Sequence, residues 1–149
     1  MIAAVLAGGF TGVDLSQPEF AVGEDHIMSE SNVVAVDLTE QEWYLLRRGM
    51  GEWGGSASPT DEIARVLGFA SEEDLLRGEG RRLREALKRE EALSWADWRR
   101  ALFATEVVFA SAIVGAGWDW SITTGLSDEE TIGLLRAVQG KVFRAMRSA

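Results

Sequence analysis

Residues 101–117 read ALFATEVVFASAIVGAG and decide the fold, because apolar side chains occur on every face of the helix they would form. At 3.6 residues per turn, Leu102 and Ile113 fall on one side, Val107 falls on another, and Val108 lies between them. A helix that is apolar all round is typical of a protein interior. The sequence therefore predicts a buried central helix against which the other helices pack.

Both ends of this central helix are marked by local signals. Ser94 and Asp97 have the spacing of an N-cap residue and the third residue of a helix, where a side-chain oxygen satisfies a free backbone N–H. Glycines at 115 and 117 favour termination, because glycine is the usual residue just beyond a helix. We therefore expect the central helix to span residues 94–115.

Similar N-cap signals occur at Thr39, Ser58, Ser71 and Ser127. Each precedes apolar residues spaced by three or four positions, as in an amphipathic helix. With 149 residues, of which 46% are hydrophobic, the chain has the size and composition of one domain. The pattern predicts a mainly all-α fold, an irregular or orthogonal bundle of about five helices around the central helix.

Glycines and charges add detail to this bundle. Gly78 and Gly80 predict a break or kink, because glycine weakens a helix by roughly 1 kcal/mol relative to alanine. The charge-dense residues 81–91 predict a surface helix with salt bridges along one face. Gly133 and Gly140 lie seven residues apart in the last helix and predict the close approach of a neighbouring backbone.

The N-terminal part differs in charge from the rest of the chain. Residues 1–42 hold eight acidic residues and no Lys or Arg, whereas residues 43–149 hold sixteen acidic and fifteen basic residues. Residues 32–37 (NVVAVD) are a strand candidate, either paired with residues 2–6 in a short N-terminal β-hairpin or simply extended. We expect residues 1–31 to form an acidic, loosely ordered N-terminal arm and residues 32–149 to form one helical domain.

One glycine-rich motif lies in the N-terminal arm. Residues 4–12 (AVLAGGFTG) resemble the strand and glycine loop that open sugar nucleotidyltransferases and related molybdopterin enzymes, in which the loop cradles phosphates. The basic residue that follows the glycines in those enzymes is missing, and no succession of strands and helices follows. The sequence therefore predicts no nucleotide site at this motif.

Composition excludes several classes of function. The chain has no cysteine and a single histidine, His26, so thiolate or paired-imidazole metal sites are excluded, and we expect no cofactor. The net charge of −9 argues against nucleic-acid binding. Residues 101–117 are too short for a membrane span and contain Glu106. The N-terminal apolar run is too short for a secretory signal, so we expect a cytoplasmic protein.

Glu106 is the one charged residue of the central apolar stretch. Four residues after Leu102 and three before Phe109, it is expected inside the fold with them. As a buried acid with a raised pKa it could act in catalysis. The favoured alternative is a structural carboxylate paired with an arginine of another helix, for which Arg47, Arg99 and Arg136 are the candidates.

The stretch that follows the central helix holds the remaining candidate site residues, which are Trp118, Asp119, Trp120, Thr123 and Thr124. Two large aromatic side chains around a carboxylate could line a ligand pocket or anchor a protein partner. In an extended turn, residues 118 and 120 would point to the same side. They would then simply cap the core, which is the reading that we favour.

No catalytic constellation stands out in the sequence. We therefore expect a non-catalytic, regulatory or immunity-like domain that binds a protein partner, and a homodimer is a further option. Only two of the fifteen basic residues are Lys, a usage common in GC-rich bacteria. The alternative function is a small-molecule-binding domain or minor hydrolase that uses Glu106 and Asp119 beside Trp118 and Trp120.

Overall fold

The computed structural model describes residues 32–149, which form a mainly helical domain and so confirm the predicted fold class. Within this range there are seven α-helices and two short strands. The helices are α1 (Glu40–Gly51), α2 (Asp61–Val66), α3 (Glu72–Arg77), α4 (Glu79–Lys88), α5 (Trp95–Ala110), α6 (Trp120–Thr124) and α7 (Asp128–Ser148). The strands are β1 (Val33–Val34) and β2 (Leu93–Ser94). The predicted arm, residues 1–31, lies outside the described residues.

Side-chain caps begin the helices where the sequence predicted them. Thr39, Ser71, Ser94 and Ser127 each accept a hydrogen bond from the backbone N–H three residues later. Helix α2 differs, since its N-cap is Thr60 in place of Ser58. Caps satisfy backbone donors locally, which explains why they can be read from sequence.

Helices α1 and α5 form the centre of the core. They pack closely where Gly49 of α1 meets Thr105 of α5. Thr105 is fully buried, and its hydroxyl donates to the Ala101 carbonyl at 2.8 Å. Leu45 and Leu46 of α1 are also fully buried. A glycine at this crossing removes the side chain that would otherwise hold the two helices apart.

The predicted break at Gly78 separates α3 from α4. The carboxylate of Asp74 spans this junction, accepting from the backbone N–H of Ala70 at 2.9 Å and of Glu79 at 3.0 Å. These hydrogen bonds lower the pKa of Asp74, because they favour its ionised form. Gly80 packs against the carbonyl of Leu75, where no side chain would fit.

Helix α4 combines a buried face with the predicted salt-bridged surface. Leu83 and Leu87 are fully buried against the core, while the outer face carries salt bridges three residues apart. These join Glu79 to Arg82 and Glu85 to Lys88. The charged residues therefore mark only the outer face of this helix.

Of the strand candidate at residues 32–37, only Val33–Val34 form a strand, which pairs with β2 immediately before α5. The pairing is antiparallel, with Val33 opposite Ser94 and Val34 opposite Leu93. The indole N–H of Trp98 donates to the Val34 carbonyl at 2.9 Å. The chain is thus held against the first turn of α5, and the alternative pairing with residues 2–6 falls outside the described residues.

The predicted extent of the central helix is wrong at its end, and so is its complete burial. Helix α5 ends at Ala110, after which the chain turns back and the Ala116 N–H donates to the Val108 carbonyl at 2.7 Å. Phe103 is 40% exposed and Ile113 is 88% exposed. An apolar sequence shows which side chains would be stabilised by burial. The other helices cover only part of α5, so some of these side chains stay exposed.

The last helix corrects a second expectation, because neither of its glycines contacts a neighbouring backbone among the described residues. Nothing lies within 4 Å of a Cβ at Gly133, and the atoms nearest to a Cβ at Gly140 belong to the Arg144 side chain. We therefore expect Gly133→Ala to stabilise the protein by up to about 1 kcal/mol through helix propensity alone. Urea denaturation measures this change, and a loss of stability would reveal a close contact at Gly133.

A partly buried ion pair joins α1 to α7. Glu42 is buried and accepts from Lys141 Nζ at 2.7 Å and from the Thr39 N–H at 2.8 Å. Burial by itself would raise the pKa of Glu42, but the hydrogen bonds and the charge of Lys141 outweigh it, so the pKa lies below 4.5. Because the folded pKa is lowered, this pair stabilises the fold fully above about pH 4.5 and progressively less as the pH falls through the folded pKa.

This pair gives a prediction for the pH dependence of folding. In the Lys141→Gln variant, the Glu42 carboxylate loses its strongest stabilising neighbour. We expect a lower free energy of unfolding at pH 7 and a shallower decline below about pH 4.5 than in the wild type. Urea denaturation between pH 3 and pH 7 tests this, and parallel curves for the two proteins would contradict it.

Candidate functional site

A groove of about 1000 Å³ runs between α5 and α7 and reaches the end of α2. We call it the α5–α7 groove. Its walls are mostly apolar, and the main apolar side chains are Val66, Leu102, Phe103, Val142, Phe143 and Met146. Several are well exposed, including Phe143 at 58%. Exposed apolar side chains gathered in a concave surface are typical of a binding site.

Arginines border the apolar walls. Arg99 and Arg136 line the groove, and neither forms a salt bridge with any described residue. Arg100 also lines it but is engaged locally, by Asp97 at 3.2 Å and the Gly68 carbonyl at 2.8 Å. The rim therefore offers positive charge to whatever enters the groove.

Glu106 lies in this groove and is half-buried. Its Oε1 accepts from Gln139 Nε2 at 3.0 Å, and Gln139 Oε1 in turn accepts from Arg136 Nη1 at 2.9 Å. Glu106 is therefore only half-buried, whereas burial was expected. It is bound by Gln139, whereas direct pairing with an arginine was expected. The Gln139 amide stands between the two charges, since α7 places it opposite Glu106.

The other two arginines considered as partners of Glu106, Arg47 and Arg99, do not pair with it. Arg47 forms its salt bridge with Glu90 at 3.3 Å, and Arg99 forms none within the described residues. Among the residues that the structure describes, Glu106 is the one acid that lines the groove, and the lining includes no Ser, Thr, Lys, Tyr or His. One carboxylate held by an amide is not a catalytic pair, which needs a second acid, base or nucleophile.

The two candidate tryptophans differ in burial. Trp120 is fully buried, and its indole N–H donates to Thr131 Oγ1 at 2.8 Å, whereas Trp118 is 89% exposed. The expectation that both cap the core is therefore wrong for Trp118. The stretch is helical, with a 3₁₀ turn at Gly117–Asp119 followed by α6, so positions 118 and 120 do not share a side as they would in extended chain.

Thr123 and Thr124 end helix α6 and serve its structure. Their carbonyls accept from Arg48 Nη2 and from the Tyr44 hydroxyl, both at 2.6 Å. Their hydroxyls bond back to carbonyls one turn earlier. Asp119 is exposed, and none of the five residues proposed between 118 and 124 lines the α5–α7 groove. The structure thus separates them from Glu106.

Trp118 belongs instead to an exposed apolar tip formed by Ile113, Trp118 and Ile122. These are the most exposed of the large apolar side chains described, at 88%, 89% and 80%. They lie in and after the turn that follows α5, and they do not line the groove.

Sequence reasoning missed three buried acids, Glu42, Glu52 and Asp97. Each is paired with a base, and Asp97 accepts from Arg82 at 2.9 and 3.0 Å. Glu42 and Asp97 stand at the third position of a helix, which the sequence shows, but their basic partners come from distant positions. The Glu42 pair joins α1 to α7 and the Asp97 pair joins α5 to α4, whereas Glu52 pairs with Arg48 one turn earlier. None of the three acids lines the groove.

Two further kinds of site are not found in the described range. Among residues 32–149, no cluster of three His, Cys, Asp or Glu side chains is arranged to hold a metal ion. Of the helices described, none combines the length and the apolarity needed to cross a membrane. No family of known proteins, no curated protein and no solved structure matches the chain. The function is therefore inferred from its own residues.

Proposed function

We propose that the protein is a non-catalytic interaction domain, of regulatory or immunity-like type, that works in the bacterial cytoplasm. Its α5–α7 groove binds an apolar segment of a protein partner, and the segment carries acidic residues. The observation that carries this proposal is the exposure of Phe103 and Phe143 in a concave surface bordered by Arg99 and Arg136, which form no salt bridge within residues 32–149.

The size of the groove suits a polypeptide segment. Its α5 side extends from Ala96 to Glu106, a stretch that rises about 15 Å along the helix axis. A partner helix of two to three turns has the same length. Amphipathic helices commonly bind in such grooves through apolar anchors spaced by three or four residues.

The charges around the groove define the partner further. Arg99 and Arg136 favour acidic side chains at the edges of the bound segment, and these would steer and orient it. The apolar walls would supply most of the affinity, because large apolar side chains in a desolvated groove dominate binding energies.

A second candidate function is the binding of a small molecule. The groove reaches Glu106, whose carboxylate is held by Gln139 and faces an apolar space. A ligand with a basic or amide group could replace Gln139 as the partner of Glu106. Hydrolysis with both Glu106 and Asp119 is not supported, since Asp119 does not line this groove.

Affinity capture with matched variants tests the proposal. Wild type, Phe143→Asp and Trp118→Ser are used as baits in lysate of the native host, and retained proteins are identified by mass spectrometry. Phe143 and Trp118 are both exposed, so neither change should affect the fold. We expect a partner retained by wild type and Trp118→Ser, with affinity for Phe143→Asp at least about tenfold weaker, or 1.4 kcal/mol.

Two outcomes would count against the groove as the binding surface. Loss of the partner with Trp118→Ser but not with Phe143→Asp would move the interface to the exposed tip. Binding of a small molecule that Glu106→Gln abolishes, without any retained protein, would favour the second candidate function. Circular dichroism of each bait confirms that the variants are folded.

A further inference from the structure

We propose that residues 1–31 of the same chain are the resting occupant of the α5–α7 groove. The segment would lie along the apolar walls and place its acidic residues against Arg99 and Arg136. That residues 1–31 compete with a protein partner for the groove rests on the proposed function. Their binding in the groove does not. The segment would then act as an internal mimic of the partner.

The first observation is where the chain leaves the described domain. Val33 pairs with Ser94, and the Val34 carbonyl accepts from the indole of Trp98. Trp98 and Ala96 both line the groove. The described chain therefore begins beside one end of the groove, at the first turns of α5.

The second observation is charge complementarity. Residues 1–31 contain five acidic residues and no Lys or Arg. The groove presents two arginines, Arg99 and Arg136, that form no salt bridge within residues 32–149. Opposite charges carried on one chain are held at a high effective concentration, which favours their association within that chain.

The third observation is apolar content and reach. The sequence MIAAVLAGGF at positions 1–10 carries the apolar side chains that would cover Phe103 and Phe143. Thirty-one residues can extend to roughly 100 Å, and the groove runs about 15 Å along α5. Length therefore does not prevent the segment from reaching either end of the groove.

Paramagnetic relaxation in the full-length chain tests this inference. The protein has no cysteine, so Thr11→Cys gives one site for a nitroxide label on an isotopically enriched chain. We expect the NMR signals of Phe103 and Phe143 to lose at least half of their intensity while the label is oxidised, and the signal of Ile122 at the tip to keep its intensity. Salt should reduce the loss, because it screens the arginines.

A matched variant and a mixing control make the result decisive. The double variant Arg99→Glu and Arg136→Glu, with the same label, should reduce the intensity loss at Phe143 at least twofold. Equal signal intensities with the label oxidised and reduced, or equal losses at Phe143 and Ile122, would overturn the proposal.

Labelled, unenriched chain is also mixed with unlabelled, enriched chain to separate association between copies from association within one. Broadening at Phe143 in this mixture would assign the groove to a second copy and overturn the intramolecular proposal. No partner protein is present in these samples. The NMR result therefore does not depend on whether a partner is captured. Either proposal, partner binding or binding of residues 1–31, can fail without the other.

Discussion

Replacement of Gly49 by alanine is expected to lower the free energy of unfolding by about 3 kcal/mol. A Cβ atom on Gly49 would lie 2.6 Å from Cβ and Cγ2 of Thr105, well inside van der Waals contact. Thr105 is fully buried in α5, so it has no space into which to withdraw. Helices α1 and α5 would have to move apart at their crossing, which lies at the centre of the core.

Gly51 supplies the matched control two residues later in the same helix. Nothing lies within 4 Å of a Cβ at Gly51, so Gly51→Ala should leave stability unchanged or raise it by up to about 1 kcal/mol. Adding Thr105→Gly to Gly49→Ala should recover part of the loss, because it removes the clashing atoms. Urea denaturation measures all three proteins, and a Gly49→Ala variant as stable as wild type would contradict the close α1–α5 crossing.

Replacement of Trp98 by alanine is expected to cost about 3–5 kcal/mol, a large fraction of the stability of a domain of this size. Trp98 is fully buried, packs against Trp43 with ring centroids 5.8 Å apart, and donates to the Val34 carbonyl. Its loss would leave a large cavity and release β1 from the start of α5.

Two variants separate the contributions of packing and hydrogen bonding at this site. Trp98→Phe keeps an aromatic ring but removes the donor to Val34, and should cost about 1–3 kcal/mol. Trp118→Ala truncates a residue of the same type that is 89% exposed, and should change stability by less than about 0.5 kcal/mol. Equal effects at positions 98 and 118 in urea denaturation would show that Trp98 is not a core residue.

Features set by local chemistry could be predicted from the sequence. The N-caps at Thr39, Ser94 and Ser127 depend on a side chain and a backbone N–H three residues apart, so the sequence contains both partners. The break at Gly78 likewise follows from the residue itself. The mainly helical class follows from these signals taken together.

Features set by distant partners could not be predicted in this way. Glu106 meets Gln139, thirty-three residues later, and the sequence offers no sign that α7 would place an amide there in place of an arginine. The exposure of Phe103 has the same origin, because α7 covers only part of the outer face of α5. Trp118 is exposed because a short helix replaced the extended turn, and five residues give little periodicity to read.

The candidate site also has a part that the sequence could predict and a part that it could not. Glu106 could be picked out as the lone charge of an apolar stretch, and it does line the α5–α7 groove. The walls and rim of that groove combine residues of α2, α5 and α7 that are far apart in sequence. Only the packing of these helices brings them together.

Cysteine alkylation in intact cells tests most directly the central claim that a polypeptide segment covers the α5–α7 groove while the tip stays free. Because the chain has no cysteine, Phe143→Cys and Trp118→Cys each provide a single reactive thiol at a well-exposed position of the described domain. The alkylation rate of each variant is divided by its rate in the urea-unfolded chain. The thiol of the Phe143→Cys variant is predicted to react at least about tenfold more slowly than that of Trp118→Cys, corresponding to 1.4 kcal/mol or more of protection. Equal normalised rates would show that nothing covers the groove and would contradict its proposed role.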